Sequence, residues 1–279
     1  MKVAIIGAGN MGGAIARGLA RGGQVAVHDI SVSNPSQGKL VALKAEFPGM
    51  NVYSDNTEAA RGADMVVIAV KPDYVEDVLE EIDFRPGTIV VSLAAGVPLL
   101  DISDFIDPPT EIDDEDYDPE LPGSFQHTHI THNFRLMPNI AIRHAESANI
   151  FCCNQGVPQD IRDEVLDIFK GLGRCFFVDE KLMDAAMAVG SCGIAYFFKM
   201  IEAATQAGVE LGLKYDTAKL MAAQACLGAA DIILRENAVP ATEISKVCSP
   251  GGYTIKGINA LENYGFSRAV IAAVKISAK

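Results

Sequence analysis

Hydrophobic and polar positions alternate between two periods over the first 106 residues. Short β-branched runs, KVAII (2–6), QVAVHD (24–29), ADMVVIAV (63–70) and TIVVSLAAG (88–96), are separated by stretches with helical spacing such as NMGGAIARGLARGG, QGKLVALKAEF and YVEDVLEEI. Apolar runs of strand length separated by amphipathic helices predict a parallel sheet wrapped by helices. The pattern breaks over 107–126, DPPTEIDDEDYDPELPGSFQ, whose clustered Pro, Asp and Glu bury too little to order themselves and read as an exposed loop insertion. Strand character resumes at THITHNFRLMPN (128–139) and SANIFCC (147–153). From residue 158 onward the period is helical, apart from a short strand at RCFFV (174–178). The expected fold is α/β: an N-terminal Rossmann-like parallel-sheet domain over 1–157, followed by an all-helical domain over 158–279. The stretch 181–213 reads as one very long apolar helix, and a helix of that kind is buried by more than its own subunit. A homodimer interlaced through this region follows as an expectation.

Composition narrows the function classes. A chain of 279 residues with 49% hydrophobic content can bury a sizeable core, while a net charge of −13 without basic runs argues against nucleic acid or an anionic membrane surface as partner. The longest uncharged apolar helix, 185–198, is shorter than the roughly 18–20 residues of a bilayer span. The start of the chain breaks its apolar run at Gly7, Gly9 and Asn10 too early for a signal peptide. Six cysteines without a CxxC pair read as reduced thiols of a cytoplasmic protein. His127, His129 and His132 do not share a strand face, so no metal site is expected.

The first run and the helix after it are joined by Gly7-Ala8-Gly9-Asn10-Met11-Gly12, a GxGxxG motif in strand-to-helix context. Gly7 permits the tight turn, Gly9 lets backbone approach a pyrophosphate, and Gly12 allows close packing, with the helix N-terminus supplying positive charge. The expected ligand is a nicotinamide dinucleotide. Asp29, read as the end of the second strand, would bond the adenosine ribose of NADH; Ser31, Ser33, Asn34 and Lys39 would instead hold the extra phosphate of NADPH. Sequence leaves the two open.

A second anion seat is suggested by VCSPGGYTIKGINALE (247–262), which interrupts helical sequence. Ser249 suits an N-cap and Pro250 a first helical position, while Gly251 and Gly252 leave backbone N–H groups bare. A plain loop that restarts a helix is the alternative. Ala69-Val70-Lys71-Pro72, Ser92-Leu-Ala94-Ala95-Gly96 and Arg135-Leu-Met137-Pro-Asn139 all fall at carboxyl ends of expected strands, where open α/β sheets bind ligands.

Together with GAGNMG and SPGG, and with IEAATQAGVELGL, AAQACLGAADIIL and GFSRAVIAAV further on, these motifs resemble the pyrroline-5-carboxylate reductase family along nearly the whole chain, in order. The resemblance implies NADPH- or NADH-dependent reduction of 1-pyrroline-5-carboxylate to L-proline, the last step of proline biosynthesis. It implies that Asn56, Ala69, Val70, Lys71, Pro72, Ala94, Ala95 and Gly96 line the cofactor. Met137, Asn139, Glu180, Ser249, Gly251, Gly252, Tyr253 and Thr254 would contact substrate, with Thr254 and Lys71 as the catalytic candidates. For Lys71 a solvent-facing role, and for Glu180 a helix-start role, stand equally open.

Four features depart from the family pattern: Tyr253 where the family usually has Thr, Ile194 for Pro in GSCGIAY, Ile140-Ala141 for Thr-Pro, and the acidic insertion. Two rival functions fit the sequence less well. A 3-hydroxyacid-type dehydrogenase would need a Lys followed by Asn on a Gly-rich helix, but Lys199 is followed by Glu202 and Ala203 instead. A non-catalytic nucleotide-binding regulator would have no need of a carboxylate seat.

Overall fold

A computed structural model describes residues 1–108 and 130–278. The acidic stretch from 109 onward, with His127 and His129, lies outside them. Among the described residues, no group of three His, Cys, Asp or Glu side chains is placed to hold a metal.

Eight strands form one sheet: β1 Val3–Ile6, β2 Ile30–Ser33, β3 Asn51–Tyr53, β4 Met65–Ile68, β5 Ile89–Ser92, β6 His132–Met137, β7 Ser147–Cys153 and β8 Gly173–Phe177. Helices α1 Asn10–Gly22, α2 Gln37–Glu46, α3 Asn56–Ala60, α4 Val75–Glu81, α5 Leu99–Ile106, α6 Gln159–Lys170 and α7 Met183–Gly190 cover it. The order is β3-β2-β1-β4-β5-β6-β7-β8, with β1 to β6 parallel and β7 antiparallel to β6. Central strands are apolar throughout because both faces are covered. Val3 and Ile5 join the cluster under α1, α2 and α6, while Ala4 and Ile6 join the one under α3, α4 and α5. Each Val or Ile buried this way contributes about 1.5–3 kcal/mol.

The second strand differs from expectation. QVAVHD is not the strand; Val27–Asp29 is a short 3-10 turn, and β2 is the following ISVS, pairing Val3 with Ile30 and Ile6 with Ser33. Both runs alternate acceptably, but the later one reaches β3 in register, and Ile30 and Val32 point into the core.

The chain divides into two compact units, Met1–Ser191 and Cys192–Lys279. The boundary expected at 157/158 therefore falls inside the first unit. The physical reason is that α6 buries Val165, Ile168 and Phe169 in the sheet core, and β8 pairs with β7. The expected single helix over 181–213 is also broken: α7 ends at Gly190, where the Ser191 hydroxyl donates to the Pro138 carbonyl at 2.6 Å.

The second unit is all helical: α8 Gly193–Glu210, α9 Tyr215–Glu236, α10 Pro240–Val247, α11 Tyr253–Asn263 and α12 Phe266–Ile276. α8 and α9 approach closely where a Cβ on Gly208 would stand 2.9 Å from Ala218 Cβ. The Tyr196 hydroxyl meets Ser277 Oγ at 2.6 Å, tying α8 to the chain just beyond α12. Buried apolar side chains are nearly absent here, and Phe197, Leu211, Leu220, Leu227 and Ile271 are exposed. By length and composition alone, the stretch Glu180–Glu210, which α7 and α8 occupy in succession, and α9 Tyr215–Glu236 are apolar enough to cross a membrane, longer than the 185–198 stretch expected.

Gly173 adopts φ 140° and a Cβ on it would sit 2.1 Å from the Ser147 carbonyl oxygen, so only glycine lets β8 lie against β7. Gly173→Ala is expected to lower stability by about 3 kcal/mol, within the range for backbone clashes at special positions. The shift of the denaturant midpoint measures it; an unchanged midpoint would refute the account.

Candidate active site

The parallel strands reverse direction of growth between β1 and β4, and the crevice above that point is where dinucleotides bind in such sheets. The Gly-rich turn closes it tightly. A Cβ on Gly7 (φ 103°) would lie 2.7 Å from the Ala69 carbonyl oxygen, and one on Gly12 would lie 1.9 Å from the Gly7 carbonyl oxygen and 2.9 Å from Ala69 Cβ. Gly9, the N-cap of α1, has open space instead. The first intrahelical bond is donated by Gly13 to the Gly9 carbonyl, leaving the N–H groups of Asn10, Met11 and Gly12 without helical acceptors. A cradle walled by backbone on one side and open at Gly9 fits a pyrophosphate.

Beside it lies a cleft of about 460 Å³ whose lining includes Gly9, Asn10, Arg17, Lys39, Ile140 and Arg143 and contains no carboxylate. The buried Asn34 side chain joins its two loops, accepting from Ala8 N–H at 3.0 Å and donating to the Ser36 carbonyl at 3.2 Å. Arg17 is already engaged by Glu46 at 2.7 Å, and that contact holds the Glu46 carboxyl below its usual range. Lys39 and Arg143 are exposed and have no ion pair among the described residues. Sequence reasoning missed Arg17 and Arg143, because neither belongs to a motif and the cleft is assembled from three separate segments.

Asp29 is corrected by this geometry. It precedes β2, so it sits at the amino edge of the sheet, roughly 16 Å of strand away from the Gly-rich turn and from the carboxyl edge where such sheets bind the dinucleotide. Ser33 and Asn34 occupy the carboxyl end instead. Asn56 stands close by, but its amide is occupied: it accepts from Ser33 Oγ at 2.7 Å and donates to Glu81. Ala69 and Val70 pack against the glycine turn, and Lys71, before the turn Pro72–Tyr74, is exposed with no side-chain partner among the described residues. After β5, Ala94 is buried while Ala95 and Gly96 (φ 79°) are exposed at the same edge.

The Arg135-Leu-Met-Pro-Asn139 segment is mainly framework, which corrects the expected substrate contacts. Met137 is buried with Leu99, Ile150, Cys152 and Met183. The Asn139 side-chain Oδ1 accepts from Ala141 N–H at 2.9 Å, and its side-chain Nδ2 donates to the Gly190 carbonyl at 2.9 Å. Glu180 has a role the sequence did not reveal. Its Oε1 accepts from buried Arg135 at 2.9 Å and from Leu99 N–H, the first of α5, at 2.8 Å. It therefore neutralises a buried cation and caps a helix start. Burial, with the Glu180 charge adding, pushes the Cys152 thiol up to about 12, so that thiol stays protonated at neutral pH.

Ser249 is not an N-cap. Residues 249–252 form a β-turn in which the Gly252 N–H donates to the Ser249 carbonyl at 3.0 Å, with Pro250 at the second position and Gly251 at φ 70° in the third. The helix begins later, with Gly252 as N-cap of α11, so Tyr253 and Thr254 are its first two residues. The Gly252 N–H is thus taken, while the backbone donors of Gly251 and of the first residues of α11, Tyr253, Thr254 and Ile255, have no helical acceptor, and those of the exposed Gly251, Tyr253 and Thr254 are open to an anion.

Sheet order, glycine cradle and crossover crevice define the first unit as the dinucleotide-binding domain of an α/β oxidoreductase. Residues 2–96 match a family model described as NADP oxidoreductase, coenzyme F420-dependent, and residues 180–279 match one described as pyrroline-5-carboxylate reductase dimerisation. The pyrroline-5-carboxylate reductases of Methanosarcina acetivorans and Escherichia coli are each 34% identical over 276 residues, covering 98% of this chain and 94% of theirs. The crystal structure of Plasmodium falciparum pyrroline carboxylate reductase with NADP bound has a TM-score of 0.82 at 27% identity, covering 100% of this chain and 95% of that one. The chain belongs to the pyrroline-5-carboxylate reductase family.

Because Glu180 holds the counter-charge of a buried guanidinium while its own side chain is 36% exposed, Glu180→Gln is expected to destabilise the first unit by about 1–2 kcal/mol, between the values for an exposed and a fully buried pair. Calorimetric melting of the variant beside Glu180→Asp checks it; a loss of activity without loss of stability would place Glu180 on substrate instead.

Proposed function

We propose that this protein reduces 1-pyrroline-5-carboxylate to L-proline with NADPH, and with NADH less well. The observation that carries the reading is the cradle at Gly7, Gly9 and Gly12 on a chain whose full-length relatives bear that reductase name. The cofactor supplies a hydride from its nicotinamide. The substrate imine, once protonated, is already an electrophile, so the protein contributes position and charge complementarity, and no dedicated proton donor is required.

The N–H groups of Asn10 and Met11 hold the pyrophosphate, and Lys71, at the end of β4, orients the cofactor. The substrate carboxylate is received by the backbone donors of Tyr253 and Thr254 and by the Thr254 hydroxyl. NADPH is favoured because β2 ends in Ser33 and is followed by Asn34, without the acid that would repel a 2′-phosphate, and because Lys39 stands free beyond it.

The working form is a homodimer made through the second unit. Its support is the match of residues 180–279 to a dimerisation model and the exposed apolar side chains of α8, α9 and α12. A second copy accounts for that surface better than lipid does, because α9 also carries Asp216, Lys219, Asp231 and Arg235. The six free cysteines accord with the reducing cytoplasm.

Oxidation of NADPH by the purified protein with 1-pyrroline-5-carboxylate tests the reaction. Thr254→Ala is expected to lower kcat/KM by about tenfold to a hundredfold, the value of one hydrogen bond to a charged group. Absence of turnover in folded protein would sink the reductase reading, and an unaffected variant would remove Thr254 from the seat. Light scattering should give at least twice the chain mass of 29.7 kDa; a single chain mass would refute the dimer.

A further inference from the structure

We infer that Arg143, on the short helix Ile140–His144 after β6, is a specificity-determining residue that binds the 2′-phosphate of NADPH together with Lys39. The inference rests on the cofactor reading above and adds a residue from a distant segment. Three observations carry it.

First, Arg143 lines the same cleft as Gly9, Asn10 and Lys39. Second, its segment is held rigidly there. Asn139 caps the turn, Ala145 closes it in the left-handed conformation (φ 60°), and the Glu146 N–H returns to the Ala141 carbonyl at 3.2 Å. Ile142 is fully buried against α1, and its carbonyl oxygen would lie 3.1 Å from a Cβ on Gly18. Third, the charges are unbalanced. Of the three cations lining the cleft, Arg17 is committed to Glu46, while Lys39 and Arg143 have no ion pair among the described residues and no carboxylate lines the wall.

In a chain of net charge −13, two cations without carboxylate partners lining one concave site make a local positive field that favours an anionic ligand there. The pyrophosphate is provided for by the N-terminus of α1. Lys39 belongs to the first turn of α2, just beyond the strand end where the adenosine ribose lies in this fold class, and a dianionic phosphate there suits a bidentate guanidinium. A phosphate is the shared chemistry, and the test separates its two positions on the dinucleotide.

Isothermal calorimetry of NADP+ and NAD+ binding to wild type, Arg143→Ala and Arg143→Lys reads this without turnover. Arg143 is exposed, so the variants should fold, as circular dichroism melting will confirm. The expected result is a wild-type preference for NADP+, about tenfold weaker NADP+ binding in Arg143→Ala, NAD+ unchanged within about twofold, and partial recovery in Arg143→Lys. Equal weakening of both dinucleotides would move Arg143 to the pyrophosphate and overturn the inference, as would no change in either. Those results with a wild-type NADP+ preference intact leave the cofactor reading standing. A wild type that binds NAD+ as well as NADP+ overturns both.

Discussion

The molecule depends on one close approach: Gly12 against the carbonyl of Gly7 and the methyl of Ala69. No side chain fits there, since a Cβ on Gly12 would stand 1.9 Å from that carbonyl oxygen. The contact draws the start of α1 down onto the ends of β1 and β4, at the crossover of the sheet. Its consequence is electrostatic as well as steric. The unpaired N–H groups of Asn10 and Met11 face the crevice, and the space above Gly9 stays empty of protein.

Around that contact, polar residues of the strand-end motifs act largely on one another. Ser33, Asn56 and Glu81 form a chain of hydrogen bonds behind the crevice, and Asn139 fastens the segment after β6 to the end of α7. Arg135 and Glu180 complete the frame, joining β6 to the start of α5 across an ion pair whose guanidinium is buried and whose carboxylate is partly exposed. The frame fixes the backbone at the strand ends beside which the exposed Lys71, Lys39 and Arg143 are carried. A residue within a ligand-binding motif is thus as often a support for the site as a wall of it.

The second unit is built on a different principle. Its helices bury few apolar side chains in their own unit, with Thr205 and Ala218 among those covered where α8 meets α9. Helices of that composition gain stability from what covers them rather than from their own packing, which links assembly to folding.

By itself the sequence determined the parallel sheet, the glycine turn, the helical second unit and the family, because strand and helix periods and glycine spacing are local properties. Gly7, Gly9 and Gly12 could be assigned their steric roles from a single strand-to-helix junction. Tertiary structure alone decided which of two neighbouring β runs became β2, and with it the removal of Asp29 from the cofactor edge, since register depends on pairing partners far along the chain. It also decided that Glu180 reaches Arg135, and that Arg17, Lys39 and Arg143 meet in one cleft. Such encounters join residues with no periodic relation, and their geometry exists only after the sheet has closed its register and the helices have packed upon it.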